Sequence, residues 1–174
     1  MPAVSPDPIR IMIVDDSPLV RYGLRFVVET HRGTRPIEVV AEASRAAEVI
    51  PLLKSAKPDL VLLDIRLPDG NGIEVCREIT RKYPKTAVLM LTSHSNDSLI
   101  YDSIGAGAKG YLMKDIDPCG LLDTIVRAAG GEIVLSLDMI SHMMQLVRDG
   151  RPLDESGDIS ILTPQERRVL ALVA

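Results

Sequence analysis

Apolar residues in this chain fall in short, nearly continuous runs, separated by stretches where they recur every three or four positions. The runs lie at residues 9–14, 37–41, 60–63, 87–91 and 110–113 and are rich in Ile, Val and Leu. A strand covered on both faces reads this way. The intervening stretches carry helix signals. Ser17-Pro18 predicts an N-cap with proline at the first helical position, and Val20, Leu24, Val27 and Val28 then share one face. Ile73, Cys76, Ile79 and Tyr83 form a second stripe. Asp117-Pro118 opens a further helix with Leu121, Leu122, Ile125, Val126 and Ala129 inward, and Gly130-Gly131 stops it. Pro51 falls inside the helix expected at 46–55, which predicts a kink or a late start. Five β/α units at even spacing predict an α/β fold: an open, doubly wound, five-stranded parallel sheet with helices on both faces.

After Gly131 the pattern changes. Residues 136–148 read as one more amphipathic helix, with Ile140, Met143, Met144 and Val147 on its apolar side. Residues 149–158 are polar, with Gly150, Pro152 and Gly157, and read as a linker. Thr163-Pro164-Gln165-Glu166 is a capping box ahead of Val169, Leu170 and Val173. The expected division is a flexible N-terminus at 1–8, a main domain at 9–131, a helical linker at 132–158 and a short separate unit at 159–174.

Composition narrows the classes. With 174 residues and a net charge of −4, the chain can bury a sizeable core but does not suit wholesale coating of nucleic acid. Its two cysteines, Cys76 and Cys119, form no CxxC pair and suit a reducing compartment, not a disulfide scaffold or a zinc site. The first residues lack a basic segment and no apolar run is long enough to span a bilayer, so a cytoplasmic protein is expected.

The polar residues that end the strands carry the chemistry. The first strand runs into Asp15 and Asp16, the third into Asp64, the fourth into Thr92 and the fifth into Lys114. In an open parallel sheet the carboxyl ends of the strands form the ligand crevice, so these side chains can converge there. Three carboxylates in one pocket repel one another, and a hard divalent cation such as Mg²⁺ relieves that repulsion. Lys114 and Thr92 then suit a phosphoryl group opposite the metal. Taken singly, Asp16 also reads as a turn residue and Lys114 as a solvated charge; the joint pattern favours a phosphoryl-accepting site. The second strand, ending in Glu42-Ala43, adds nothing to it on this reading.

The segments IMIVDDSPLVRYGL, PDLVLLDIRLPDGNGIEV, VLMLTSHSND and GAKGYLMKD resemble the receiver signature of two-component response regulators, over about residues 9–131. The resemblance implies a flavodoxin-like receiver with strand order 2-1-3-4-5. It implies that Asp64 is the phosphoacceptor from a sensor histidine kinase, aided by Thr92 and Lys114. Mg²⁺ would be held by Asp15, Asp16, Asp64 and the backbone carbonyl of Arg66, with Asp16 the more direct ligand of the pair. Thr92 and Tyr111 would form the switch, Tyr111 turning inward as Thr92 is drawn to the phosphate, and residues 96–130 would be the switched surface. Many relatives have a cis proline after the lysine; here the position is Asp115, which predicts a trans bond.

ILTPQERRVLALVA resembles the opening of a LuxR-type helix-turn-helix domain, which points to the NarL/FixJ branch and to a chain that ends inside a truncated, all-α DNA-binding unit. The implied protein is a phosphorylation-controlled transcription regulator and not an enzyme beyond self-catalysed phosphoryl uptake and hydrolysis. It would form a homodimer on phosphorylation and contact DNA only through the full-length protein, with no membrane partner. The alternative is a stand-alone receiver or adaptor working through protein contacts. An Asp-nucleophile phosphatase fits less well, because Asp15-Asp16-Ser17 lacks the DxD spacing. A flavin carrier is disfavoured by the absence of Trp and of a Ser/Thr-rich loop after the first strand. Gly105 to Gly110 matches GxGxxG but precedes a strand, so it reads as a helix-to-strand turn.

Overall fold

The computed structural model describes residues 7–31, 33, 35–93, 97–135, 140, 141 and 144. Its main sheet is parallel and contains β1 (Ile9–Val14), β2 (Ile37–Ala43), β3 (Leu60–Asp64), β6 (Ala87–Thr92) and β7 (Gly110–Met113), in the order β2-β1-β3-β6-β7. This is the expected 2-1-3-4-5 arrangement. Between β3 and β6 the chain makes a small antiparallel hairpin of β4 (Arg66–Leu67) and β5 (Gly70–Asn71). The helices are α1 (Pro18–Glu29), α2 (Ala46–Ala56), α3 (Gly72–Lys82), α4 (Asp97–Gly105) and α5 (Pro118–Ala129).

Side chains alternate along each strand, so every central strand feeds two cores. Ile9, Ile11 and Ile13 of β1 pack with Val28 of α1 and with Leu121 and Ile125 of α5. Met12 and Val14 of the same strand pack with Leu53 of α2, Ile79 of α3 and Ile104 of α4. Helices therefore cover both faces, as the unbroken apolar runs require.

Local signals behave as expected at several ends. The Ser17 side chain accepts from the Val20 N–H, and Asp117 accepts from the Gly120 N–H, each with proline at the start of its helix. Gly131 sits at φ +92° just past α5, and Gly107 at φ +92° in the turn between α4 and β7, conformations that glycine adopts without a Cβ clash. No cis peptide occurs among the described residues, so the bond after Lys114 is trans.

Three features go beyond the local signals. α2 begins at Ala46, the expected position, so of the two alternatives for Pro51 the late start is excluded; the proline lies in the helix interior. Its start is held by Asp69, which accepts from the Ala46 and Ala47 N–H groups at 2.7 and 3.0 Å. The segment 66–71 is thus a hairpin that caps a neighbouring helix. Packing also runs past Gly131. Val134 bridges to Gly110 in parallel register, and its N–H donates to Lys109 O at 2.7 Å, while Ile133 and Leu135 pack against the α2–α4 core.

Ile140, Ser141 and Met144 are helical. The rest of the helix expected at 136–148, the polar linker, the capping-box helix, residues 1–6 and the start of the expected switched surface at residue 96 lie outside the described residues. No helix among the described residues is long and apolar enough to cross a membrane.

Candidate functional site

Sheet register brings the predicted residues together. Asp64 is the last residue of β3 and pairs with Leu91; Thr92 is the last of β6 and pairs with Met113. Asp15 follows β1 directly and Lys114 follows β7. All four meet at the carboxyl edge of the sheet, where the fold leaves its crevice.

The acidic residues form one cluster: ligand-capable oxygens of Asp15, Asp16 and Asp64 lie within 4.8 Å of one another. Asp15 is fully buried and Asp64 nearly so, whereas Asp16 is exposed. Lys114 is the cation between the buried pair, its Nζ 2.7 Å from Asp15 Oδ2 and 2.9 Å from Asp64 Oδ2. Asp64 Oδ1 accepts from the Arg66 N–H at 3.2 Å, and Asp15 Oδ1 from the Ser17 N–H at 2.9 Å. Asp15 Oδ2 faces the ammonium at 2.7 Å without a well-angled hydrogen bond.

The electrostatics follow from burial. Removal from water pushes the Asp64 carboxyl above the ordinary carboxylate range; Lys114 and the Arg66 N–H pull it back only partly, and the Asp15 charge adds to the rise. Burial also works against the charge on Lys114, but its bonds and attraction to Asp15 and Asp64 outweigh it, and the lysine ends above its usual value. The part-buried Lys114 ammonium, at 17% exposure, thus lies between two buried carboxylates.

Thr92 and Tyr111 are both buried, at 5% and 2% exposure. Tyr111 already packs in the core against the α2–α4 layer in this structure, so its ring occupies an inward position.

Three contributions escaped the reading of strand ends. Gly72 begins α3 with its N–H on Ile65 O, and a Cβ there would lie 2.0 Å from Asp64 O; only glycine lets α3 approach the end of β3. The β2 end does contribute, because Ala43 O accepts the Asp15 N–H at 3.1 Å. Arg21 Nη1 donates to Asp15 O at 2.7 Å. None has a periodicity that would mark it, since each contact falls on a backbone group outside the repeat of its own helix or strand.

Comparison with known proteins agrees with this geometry. Residues 11–126 match the response regulator receiver domain. The chain is 36% identical to the DNA-binding transcriptional activator DevR/DosR of Mycobacterium tuberculosis, over 95% of this chain and 74% of that protein. It is 33% identical to the nitrate/nitrite response regulator NarL of Escherichia coli, over 97% of this chain and 76% of that protein. Among solved structures, a LuxR-family two-component response regulator from Aurantimonas superposes with a TM-score of 0.72 at 34% identity, covering 82% of this chain and 99% of that one. The signal receiver domain of a NarL from Mycobacterium tuberculosis superposes at 0.67 with 30% identity, covering 73% and 100%. With the acidic cluster, the lysine and the parallel sheet all in place, this chain belongs to the two-component response regulators, in the branch of the NarL- and DevR-type LuxR-family proteins.

Proposed function

We propose that the chain is a phosphorylation-activated switch in which Asp64 accepts a phosphoryl group from a sensor histidine kinase and controls a DNA-binding transcription regulator. The observation that carries this reading is the single ammonium of Lys114 set between two buried carboxylates, Asp15 and Asp64. In the transfer an Asp64 carboxylate oxygen bonds to phosphorus as the phosphohistidine N–P bond breaks. The bonding pair stays on the imidazole nitrogen, which is then protonated from solvent. Lys114 opposes the burial cost of the Asp64 charge before transfer and can follow the added negative charge after it. Thr92 supplies a hydroxyl to the phosphoryl oxygens, and Tyr111, three residues before Lys114, senses that engagement from its buried seat.

The donor set suits Mg²⁺: three carboxylates within 4.8 Å and a buried Asp15 oxygen lacking a well-angled hydrogen bond are what a hard cation takes. Asp15, Asp16, Asp64 and the Arg66 carbonyl would hold it, where it would offset the acidic charge and draw charge from a phosphoryl oxygen. The kinase is proposed to dock beside this pocket. Leu19, Tyr22 and Phe26 of α1 form an exposed apolar stripe, 78%, 68% and 58% accessible, and α1 begins directly after Asp16 and Ser17. Homodimerisation on phosphorylation, DNA contact through the full-length protein and residence in the cytoplasm complete the proposal.

Intact mass after incubation with acetyl phosphate tests it. One added phosphoryl mass that requires Mg²⁺, is absent in EDTA and is absent from Asp64→Asn is expected. Uptake by Asp64→Asn at the parent's level would refute the acceptor assignment.

A further inference from the structure

We propose that Arg21 is a positioning residue for the acidic pocket, fixing the peptide that joins Asp15 to Asp16. The inference rests on the reading of that pocket as a Mg²⁺ site. β1 ends at Val14, so the Asp15 backbone leaves the sheet and its polar groups need partners elsewhere. The Asp15 N–H goes to Ala43 O of β2. The Asp15 carbonyl accepts from Arg21 Nη1 at 2.7 Å, a charge-assisted bond. Arg21 is itself anchored: its Nε donates to Glu42 Oε2 at 3.3 Å, and the other Glu42 oxygen is held by Arg25. The guanidinium is mostly shielded, at 19% side-chain exposure.

Both peptide groups flanking Asp15 are therefore tied down. The plane of the Asp15–Asp16 peptide sets the direction from which the exposed Asp16 carboxylate approaches the cluster. Arg21 makes this connection because its rigid fork presents two donors to two acceptors at once, which a lysine ammonium on a flexible stem does not reproduce. The two residues that end β2, Glu42 through Arg21 and Ala43 through its carbonyl, thereby reach the site without placing a side chain in it.

The role has a signature that charge alone reverses. Arg21 is a cation near a cation site, so its removal would tighten Mg²⁺ binding if Coulomb repulsion were its only effect. Loss of positioning weakens binding instead. The test is calorimetric titration of the unphosphorylated full chain with Mg²⁺, for the parent, Arg21→Gln and Arg21→Lys. Arg21→Gln is expected to raise the Mg²⁺ dissociation constant about tenfold, the lower end of what losing an outer-shell partner costs. Arg21→Lys keeps the charge and is expected to fall between. Binding by Arg21→Gln as tight as the parent's, or tighter, overturns the proposal. If Arg21→Gln does not fold, a parent-like constant for Arg21→Lys overturns it equally. A parent that binds no Mg²⁺ removes both the metal reading and this inference, whereas a parent that binds beside an unaffected Arg21→Gln removes the inference alone.

Discussion

Replacing Asp64 by Asn should make the protein more stable, although it removes the proposed phosphoacceptor. The Asp64 oxygens lie within 4.8 Å of those of Asp15 and Asp16, and at an effective dielectric of about 20 each such repulsion is about 3.5 kcal/mol. Lys114 at 2.9 Å returns about 6 kcal/mol on the same scale. The two repulsions slightly exceed the one attraction. Exposure of Asp16 weakens its share, and the desolvation of Asp64 works in the other direction. The asparagine of the variant would keep an oxygen for the lysine or the Arg66 N–H while shedding the charge. The expected gain is about 1 kcal/mol, which raises Tm by about 4 °C for a domain of this size.

The pH dependence fixes the sign. Burial raises the Asp64 proton affinity in the folded state above its ordinary value of 3.8. A raised folded value contributes stability below pH 3.8, which is lost as pH climbs through the folded value. The parent is therefore penalised at neutral pH and Asp64→Asn is not, so the gap in Tm should close towards pH 4 and below. Thermal unfolding by circular dichroism in EDTA, from pH 4 to 8, measures it. A variant that melts below the parent at pH 7 would mean that the Lys114 attraction outweighs repulsion and burial together, and the charge argument would fail. Adding Mg²⁺ should narrow the neutral-pH gap, because binding to the folded parent stabilises it by linkage.

Gly72→Ala should destabilise by about 3 kcal/mol, the upper end of overpacking costs, because the added Cβ meets backbone atoms of Asp64 at 2.0 and 2.9 Å; urea denaturation reads the loss, and phosphoryl uptake should fall with it. Asp69→Ala should lower Tm at neutral pH by uncapping α2. The Ala47 and Ala46 N–H groups hold the Asp69 carboxyl below its ordinary 3.8, so its contribution is present above that value and lost as pH falls through the lowered one; a Tm difference unchanged in strong acid would refute the cap. Of the two thiols, Cys119 is exposed, while Cys76 is buried and pushed up to about 12. Ellman's reagent at pH 8 should therefore titrate one thiol per native chain and two in guanidinium, and rapid reaction of both in the native state would contradict the packing of Cys76.

Much of the architecture was written locally. The strands at 9–14 and 110–113 were legible because an unbroken apolar run buried on both faces has few other uses. Ser17 and Asp117 marked helix starts because a cap bonds only two or three residues ahead. Once a parallel sheet is inferred, the residues ending its strands share one edge, so Asp15, Asp64, Thr92 and Lys114 could be placed in one pocket from the sequence. What only the tertiary structure decided involves partners that no local signal joins. The hairpin swings Asp69 onto the start of α2, 23 positions earlier. Gly72 permits the close approach of α3 to the Asp64 carbonyl. α1 lies against the end of β2 so that the Arg21 guanidinium spans Glu42 and the Asp15 carbonyl. Val134 follows the glycines that stop α5, yet it pairs with the β7 edge at Gly110. Periodicity records which face a residue is buried on; it does not record which distant backbone group will need a donor there, because that follows from the order and register in which the strands assemble.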